Sequence, residues 1–316
     1  MRLILVSALG AFVLLLASAV MPVRPAAAAT CSVTGGTLAF GAVDTLAASP
    51  TSADGDLSIS CSDASAASVR VCVGLGAGTG GSDAGYRLLS NGDTTLSYGL
   101  YADSGLTTGW GANDAAGLGE PQGVTLATSD GSASAEMTVY GRVPGSQTSA
   151  STGAYSSLVT VTLAYAEGSD LDCASPASAS TATGSLTVSA NVAANCLVVA
   201  QDLDFGTAGL IDADISAEAD LDVTCTPGAS YAIAMGAGLY SDGSTRRMRS
   251  TAGDYVSYGL YNDSGGAVAW GDGTSSDTLG GTGVGEETVP VYGIVPPQSA
   301  APGNYSDTVV VTITYQ

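Results

Sequence analysis

The sequence predicts an all-β protein of two tandem β-sandwich domains, the second of which lacks its last strand. Short runs of alternating apolar and polar residues lie between clusters of Gly, Ser, Asn and Asp that favour turns. The second half of the chain repeats the first, and cysteines fall at corresponding places in both. Many short strands fixed by disulfides are typical of an immunoglobulin-like sandwich.

The N-terminus has the pattern of a secretory signal peptide. Arg2 supplies a short positive region, residues 3–20 are mostly apolar, and the small residues 27–29 fit a cleavage site. We therefore expect residues 1–29 to be removed and Thr30 to begin the mature chain. The alternative is a membrane anchor, because the apolar run is long.

The charge balance is strongly acidic. The 316 residues, enough for two domains, carry 8 Lys and Arg against 29 Asp and Glu, a formal net charge of −21, and there is no His. A field of this sign repels phosphate backbones and anionic membrane surfaces. We therefore expect no nucleic-acid partner.

The repeat aligns in blocks along the chain. Tyr-Gly-Leu-Tyr at residues 98–101 returns at 258–261, and the Trp-Gly pair that begins at Trp110 returns at Trp270. The copies differ by loop insertions, and their order of motifs is the same.

These blocks define the expected domains. The first copy spans residues 30–165 and the second spans 185–316, with a linker rich in Ser, Ala and Asp at 166–184. The largest insertion lies in the first copy between Trp110 and Tyr140.

Six cysteines in an exported chain indicate three disulfides. Pairing within each copy is expected, because the two spacings of 30 and 29 residues agree. The third pair would tie the linker back to the first copy, unless its two members are free buried thiols. The expected pairs are Cys31 with Cys61, Cys196 with Cys225, and Cys72 with Cys173.

The two copies end differently. After the last strand of the first copy, residues 185–192 form another alternating strand, and no match to it follows the last strand of the second copy. We expect this strand to complete the first copy, or, more plainly, to be the first strand of the second domain. Its apolar residues are Leu186, Val188, Ala190 and Val192. The groove then expected in the second copy would be lined by Val309, Val311, Ile313 and Tyr315.

No motif supports catalysis or metal binding. Asp263-Ser264-Gly265 resembles the surroundings of a serine nucleophile, but no His or Lys can act as base, and its repeat at Asp103 favours a turn. The G-x-G-x-x-G pattern at residues 76–81 precedes no helix, and the acidic clusters lack the spacing of a calcium loop. We therefore predict no enzymatic activity, cofactor or metal.

The repeated aromatic residues favour core packing over a sugar-stacking platform. A receptor site is better sought where the copies differ, in the longer first-copy loop and in the Gly-rich loop before Arg87. The alternative is that these loops are passive elaborations. The candidate residues in the longer loop are Leu118, Val124 and Leu126.

The repeated motifs resemble the spore coat protein U domain, found in subunits of archaic, Csu-type chaperone–usher pili. They comprise a Cys with Phe-Gly about nine residues later, Tyr-Gly-Leu-Tyr, Trp-Gly, Tyr-Gly-x-Val-Pro followed by Gln, and a terminal Gly-x-Tyr-Ser-x-x-Val strand. The resemblance covers residues 31–165 and 186–316.

The resemblance implies a pilin-type sandwich that lacks its last strand. A periplasmic chaperone would fill the groove, and an outer-membrane usher would exchange it for the N-terminal extension of a neighbouring pilin subunit. Because the expected mature N-terminus falls almost on Cys31, no donor arm is expected. This implies a tip subunit of a cell-surface pilus, exported through the periplasm, that adheres to a host or abiotic surface. The alternative is a secreted coat or matrix protein of the same fold, assembled without an usher.

Overall fold

The structure, a computed structural model, describes residues 28–273 and 277–316. The predicted signal peptide lies outside the described residues, except for its last two. Every regular element in the described ranges is a β-strand, so no helix there could cross a membrane. The all-β prediction is confirmed, because alternating short runs fit a pleated, half-buried sheet and no segment of the described ranges has a helical period.

Eleven strands belong to the first copy and the segment that follows it. Their bounds are β1 Thr30–Gly35, β2 Thr37–Val43, β3 Thr51–Ser62, β4 Ser68–Leu75, β5 Ser82–Asp83, β6 Tyr86–Ser90, β7 Thr95–Tyr101, β8 Gln122–Ala127, β9 Ala133–Val143, β10 Gly153–Glu167 and β11 Ser180–Val192.

Nine strands belong to the described part of the second copy. Their bounds are β12 Cys196–Ala200, β13 Ile215–Cys225, β14 Ser230–Met235, β15 Arg246–Ser250, β16 Tyr255–Tyr261, β17 Leu279–Thr282, β18 Gly285–Val295, β19 Tyr305–Ser306 and β20 Val311–Tyr315.

The first eleven strands form one hydrogen-bonded network around a single core. Its main path runs β1-β3-β9-β7-β6-β10-β11-β2, with β4 joining β10 to β8 and β5 beside β6. Strand β10 therefore lies between β4 and β11, and β11 lies between β10 and β2. The strand after the linker begins at Ser180, five residues earlier than the expected Ser185.

The second copy has two sheets. One runs β12-β13-β18-β16-β15-β19 and the other runs β17-β14-β20. Its core repeats that of the first copy: Trp270 is buried as Trp110 is, and each indole N–H donates to a backbone carbonyl at 2.8 Å, in Ile233 and Val73 respectively. The Trp and the first Tyr of each repeated motif therefore pack in the core, where buried Trp needs a hydrogen-bond partner, whereas the second Tyr, Tyr101 or Tyr261, is partly exposed.

Three disulfides fix the sheets. Cys31 and Cys61 face each other across β1 and β3, and Cys196 and Cys225 do so across β12 and β13. The third bond joins β4 to the segment after β10, and it closes a separation of 101 residues. These are the pairs expected from the sequence: Cys31–Cys61, Cys196–Cys225 and Cys72–Cys173.

Replacing Leu186 in β11 by Ala should destabilise the first copy by about 2–5 kcal/mol, because the side chain is fully buried and its removal leaves a cavity. Urea unfolding followed by Trp110 fluorescence, in a Trp270→Phe background, measures this free energy. The control is Thr187→Ala on the exposed face of the same strand, expected to change it by less than about 0.5 kcal/mol. Equal effects of the two substitutions would contradict a core role for β11.

Candidate strand-binding site

Strand β11 fills a position between two other strands in the first copy. It pairs with β10 in antiparallel fashion, Val159 opposite Leu186 and Ser157 opposite Val188, and it pairs with β2 in parallel fashion. The inward side chains of β11 are buried in the core of the first copy. They are Leu186, Val188, Ala190 and Val192.

The corresponding strand of the second copy has one partner in the part of the chain that the structure describes. Strand β20 pairs with β14, and its other edge is hydrogen-bonded to no described strand. The first-copy side chains Val159, Val161 and Leu163 are buried, whereas their counterparts Val309, Val311 and Ile313 are partly exposed. The contrast is largest at the end of the strand, where Tyr165 is 7% exposed and Tyr315 is 45% exposed.

The segment that corresponds to β2 keeps its apolar packing in the second copy. Leu203 and Phe205 correspond to Leu38 and Phe40 of β2, although residues 201–206 form no strand. The reason is that β2 pairs only with β11 among the described strands, so without a neighbour the segment has no ladder to join. Packing alone nevertheless holds both of its apolar side chains.

A glycine in each copy lets this segment approach the sheet. A Cβ on Gly293 would lie 2.8 Å from both Leu203 and Phe205, and a Cβ on Gly141 would lie 2.8 Å from the two matching side chains. Phe205 also contacts the ring of Tyr258 edge-on at 6.0 Å, and the first-copy pair lies 6.2 Å apart. In the second copy, β20 and the segment with Leu203 and Phe205 therefore lie on either side of the position that β11 fills in the first copy.

Among the inward-facing residues of β10 and of the matching segment 305–315, one differs in charge between the copies. Ser157 in the first copy is replaced by Asp307 in the second. The Asp307 Oδ1 accepts hydrogen bonds from the backbone N–H groups of Leu239 at 2.9 Å and Tyr240 at 3.3 Å, and Oδ2 accepts one from the Tyr258 hydroxyl at 2.8 Å. Burial, and next the hydrogen bond to Asp307, raise the pKa of Tyr258, which stays neutral and donates.

Each copy also contains an arginine near this site whose structural role was not predicted from the sequence. The Arg246 guanidinium donates from Nε to Gly236 O at 2.8 Å, and from one terminal nitrogen to Met235 O at 2.6 Å and Trp270 O at 2.8 Å. Arg87 makes the corresponding three bonds in the first copy. Burial lowers the pKa of Arg87 to about 10, so it remains charged at neutral pH.

The sequence does contain a sign that these two arginines have a structural role. Arg87 and Arg246 occupy matching places in a chain that has only 8 basic residues, and each follows a Gly-rich stretch. A basic residue kept in both copies of an acidic protein points to a structural role, because a buried guanidinium must satisfy its donors.

The Asp-Ser-Gly motifs are turns in both copies. The Asp103 carboxylate accepts the backbone N–H of Thr108 at 2.6 Å, and Asp263 accepts that of Val268 at 2.6 Å. These backbone hydrogen bonds lower the pKa of both carboxyl groups. The serines lie within loops that the aspartates organise, as the repeat predicted.

The candidate receptor residues do not form an exposed patch. Leu118 is 5% exposed and packs with Ala112 and Ala115, Leu126 is buried in the main core, and Val124 is partly buried against it. A receptor role for these residues and for the loop as a whole stays a prediction.

The chain is similar to known proteins in both copies. Residues 17–162 and 182–312 match the model of the Spore Coat Protein U domain. Protein U of Myxococcus xanthus is 39% identical in an alignment of 175 positions that covers 49% of this chain and 97% of that protein.

The fold is similar to that of a chain in a solved complex. This is the chaperone–tip adhesion subunit pre-assembly complex CsuC–CsuE, from archaic chaperone-usher Csu pili of Acinetobacter baumannii. The TM-score is 0.51 at 19% identity, and the match covers 90% of this chain and 99% of that chain.

Replacing Arg246 by Met should destabilise the second copy by about 2–4 kcal/mol, because three backbone carbonyls lose a charged donor. Chemical unfolding followed by Trp270 fluorescence in a Trp110→Phe background measures the loss. Arg249→Met removes the same charge from an exposed side chain and should cost less than about 0.5 kcal/mol. Equal losses would mean that charge alone, and not the carbonyl contacts, accounts for the effect.

Proposed function

Because the chain belongs to the Spore Coat Protein U domain family, we propose that it is a non-enzymatic structural and adhesive subunit of a surface pilus, assembled by donor-strand exchange along the chaperone–usher route. In this proposal residues 30–165 form an adhesin-like domain, and residues 185–316 form a pilin domain with residues 185–192 given to the first. The chain is secreted, passes through the periplasm and stands at the cell surface.

One observation carries the proposal: the same strand position is filled in the first copy and open in the second. Val159 and Val161 are buried under β11, whereas Val309 and Val311 keep partial exposure beside the free edge of β20. A free edge next to apolar side chains is costly in water and is a template for another strand. Addition of a strand to a sheet edge supplies main-chain hydrogen bonds for affinity and side-chain pockets for specificity.

The occupants of this position follow from the assembly route. A periplasmic pilus chaperone would cover it before assembly, and a strand from a neighbouring pilin subunit would replace the chaperone at the outer-membrane usher. The similarity in fold to a chain of a chaperone–tip adhesion subunit complex supports partners of this kind. The recognised surface, whether of a host or abiotic, would be contacted by the first domain.

Placement at the fibre tip rests on the use of β11 within the chain. This strand has a donor's alternating pattern, yet it is already paired on both sides, with β10 and with β2. It is therefore engaged in completing the first copy and is not free to complete another subunit. A subunit that accepts a strand, and whose own donor-like strand is engaged, suits the end of a fibre.

A second candidate function is a secreted coat or matrix protein of the same fold that needs no usher. The identity to Protein U of Myxococcus xanthus over 97% of that protein favours it. The two candidates differ in one physical respect, which is whether the second copy binds a strand from outside.

The binding test adds a synthetic peptide copied from residues 180–192 to the exported chain and follows thermal unfolding of the second copy by Trp270 fluorescence in the Trp110→Phe background. Saturating peptide should raise the melting temperature by several degrees, since a ligand that binds only the folded state stabilises it. Val311→Asp should abolish the rise, because it places a charge under the bound strand.

Val310→Asp is the matched control, because it adds the same charge on the other face of the same segment. Val310 is 67% exposed there. This variant should keep the rise in melting temperature. If the parent chain is already stable and shows no rise with any strand peptide, the second copy is closed. The coat-protein alternative would then be preferred.

A further inference from the structure

Asp307 is the one polar side chain on the strand-facing side of residues 305–315 that differs in charge from its first-copy counterpart. Tyr155, Ser157, Val159, Val161, Leu163 and Tyr165 of the first copy correspond to Tyr305, Asp307, Val309, Val311, Ile313 and Tyr315 of the second. Ser157 is buried and directly opposite Val188 of β11. The first copy therefore accepts an apolar residue at this place without burying a charge.

The acceptor positions of the Asp307 carboxylate that already hold a hydrogen bond can be counted. A carboxylate offers about four acceptor positions, two on each oxygen. Oδ1 accepts two N–H groups and Oδ2 accepts the Tyr258 hydroxyl, so one position on Oδ2 has no donor among the residues that the structure describes. Asp307 is now partly exposed, and water can serve that position.

A strand bound beside residues 305–315 would remove this water. In the register of β10 with β11, the residue that corresponds to Val188 lies directly opposite Asp307. Directly opposed residues on one face of an antiparallel pair have Cβ atoms about 4.5–5.5 Å apart. An apolar residue there would leave a buried ionised carboxylate one hydrogen bond short, which is unfavourable.

We infer that Asp307 is a specificity-determining residue, which selects incoming strands that carry a hydroxyl or another hydrogen-bond donor opposite it and disfavours strands, such as this chain's own β11, that carry a branched apolar residue there. The inference rests on the proposed strand-accepting function. It also gives the chain a way to direct β11 to its own first copy, where Ser157 is compatible with Val188. Discrimination by an unpaired polar group is a known route to specificity.

The test is a double-mutant cycle with two peptides and two proteins. The peptides are residues 180–192 as they stand and the same peptide with Val188→Thr, which exchanges a methyl group for a hydroxyl. The proteins are the exported chain and its Asp307→Ser variant, which reproduces the first-copy residue. Affinity is measured by competition against a fluorescent copy of the peptide.

The exported chain should bind the Thr peptide about tenfold more tightly than the Val peptide, since the new hydrogen bond is to a charged group. The Asp307→Ser variant should lose this preference or prefer the Val peptide. Equal affinities of both peptides for both proteins would overturn the role of Asp307 while leaving strand binding intact. Failure of every peptide to bind would overturn the proposed function together with this inference.

Discussion

The pairing of β11 with β10 and β2 is the interaction on which the rest of the structure depends. It buries the inward side chains of β11 and β10 together, and it gives β2 a ladder to join. Where the corresponding strand is not present among the described residues, the consequences appear on both sides: Val309 and Val311 stay partly exposed, and residues 201–206 form no strand. The two copies thus act as an internal comparison of one sandwich with and without its completing strand.

Much of the fold could be predicted from the sequence because it rests on local patterns. Period-two alternation predicted the strands, and the repeat predicted that the Trp residues pack in the core. The spacing of Cys31 and Cys61 predicted the first disulfide, since paired strands bring such residues opposite each other. These inferences succeed because each uses one element or one pair of neighbours.

The remaining features depend on contacts between elements distant in sequence. The start of β11 at Ser180 is set by its pairing with Tyr165, and not by its own Ser- and Thr-rich composition. Leu118 lies in the longer first-copy loop, where the sequence led us to expect exposure, but it packs against Ala112 and Ala115. The sequence could point to a structural role for Arg246, but its carbonyl partners in Gly236 and Trp270 are brought to it only by the fold.

One edge of the second copy's last strand is open among the described strands. Residues 161–165 pair with both β4 and β11, whereas residues 311–315 pair with β14 alone among the described strands. Amide hydrogen exchange measured residue by residue on the exported chain tests this directly. The account predicts slow exchange at every amide of residues 161–165, and alternating slow and fast exchange along residues 311–315. Uniformly slow exchange along residues 311–315 in the isolated chain would contradict it, because both edges would then be hydrogen-bonded.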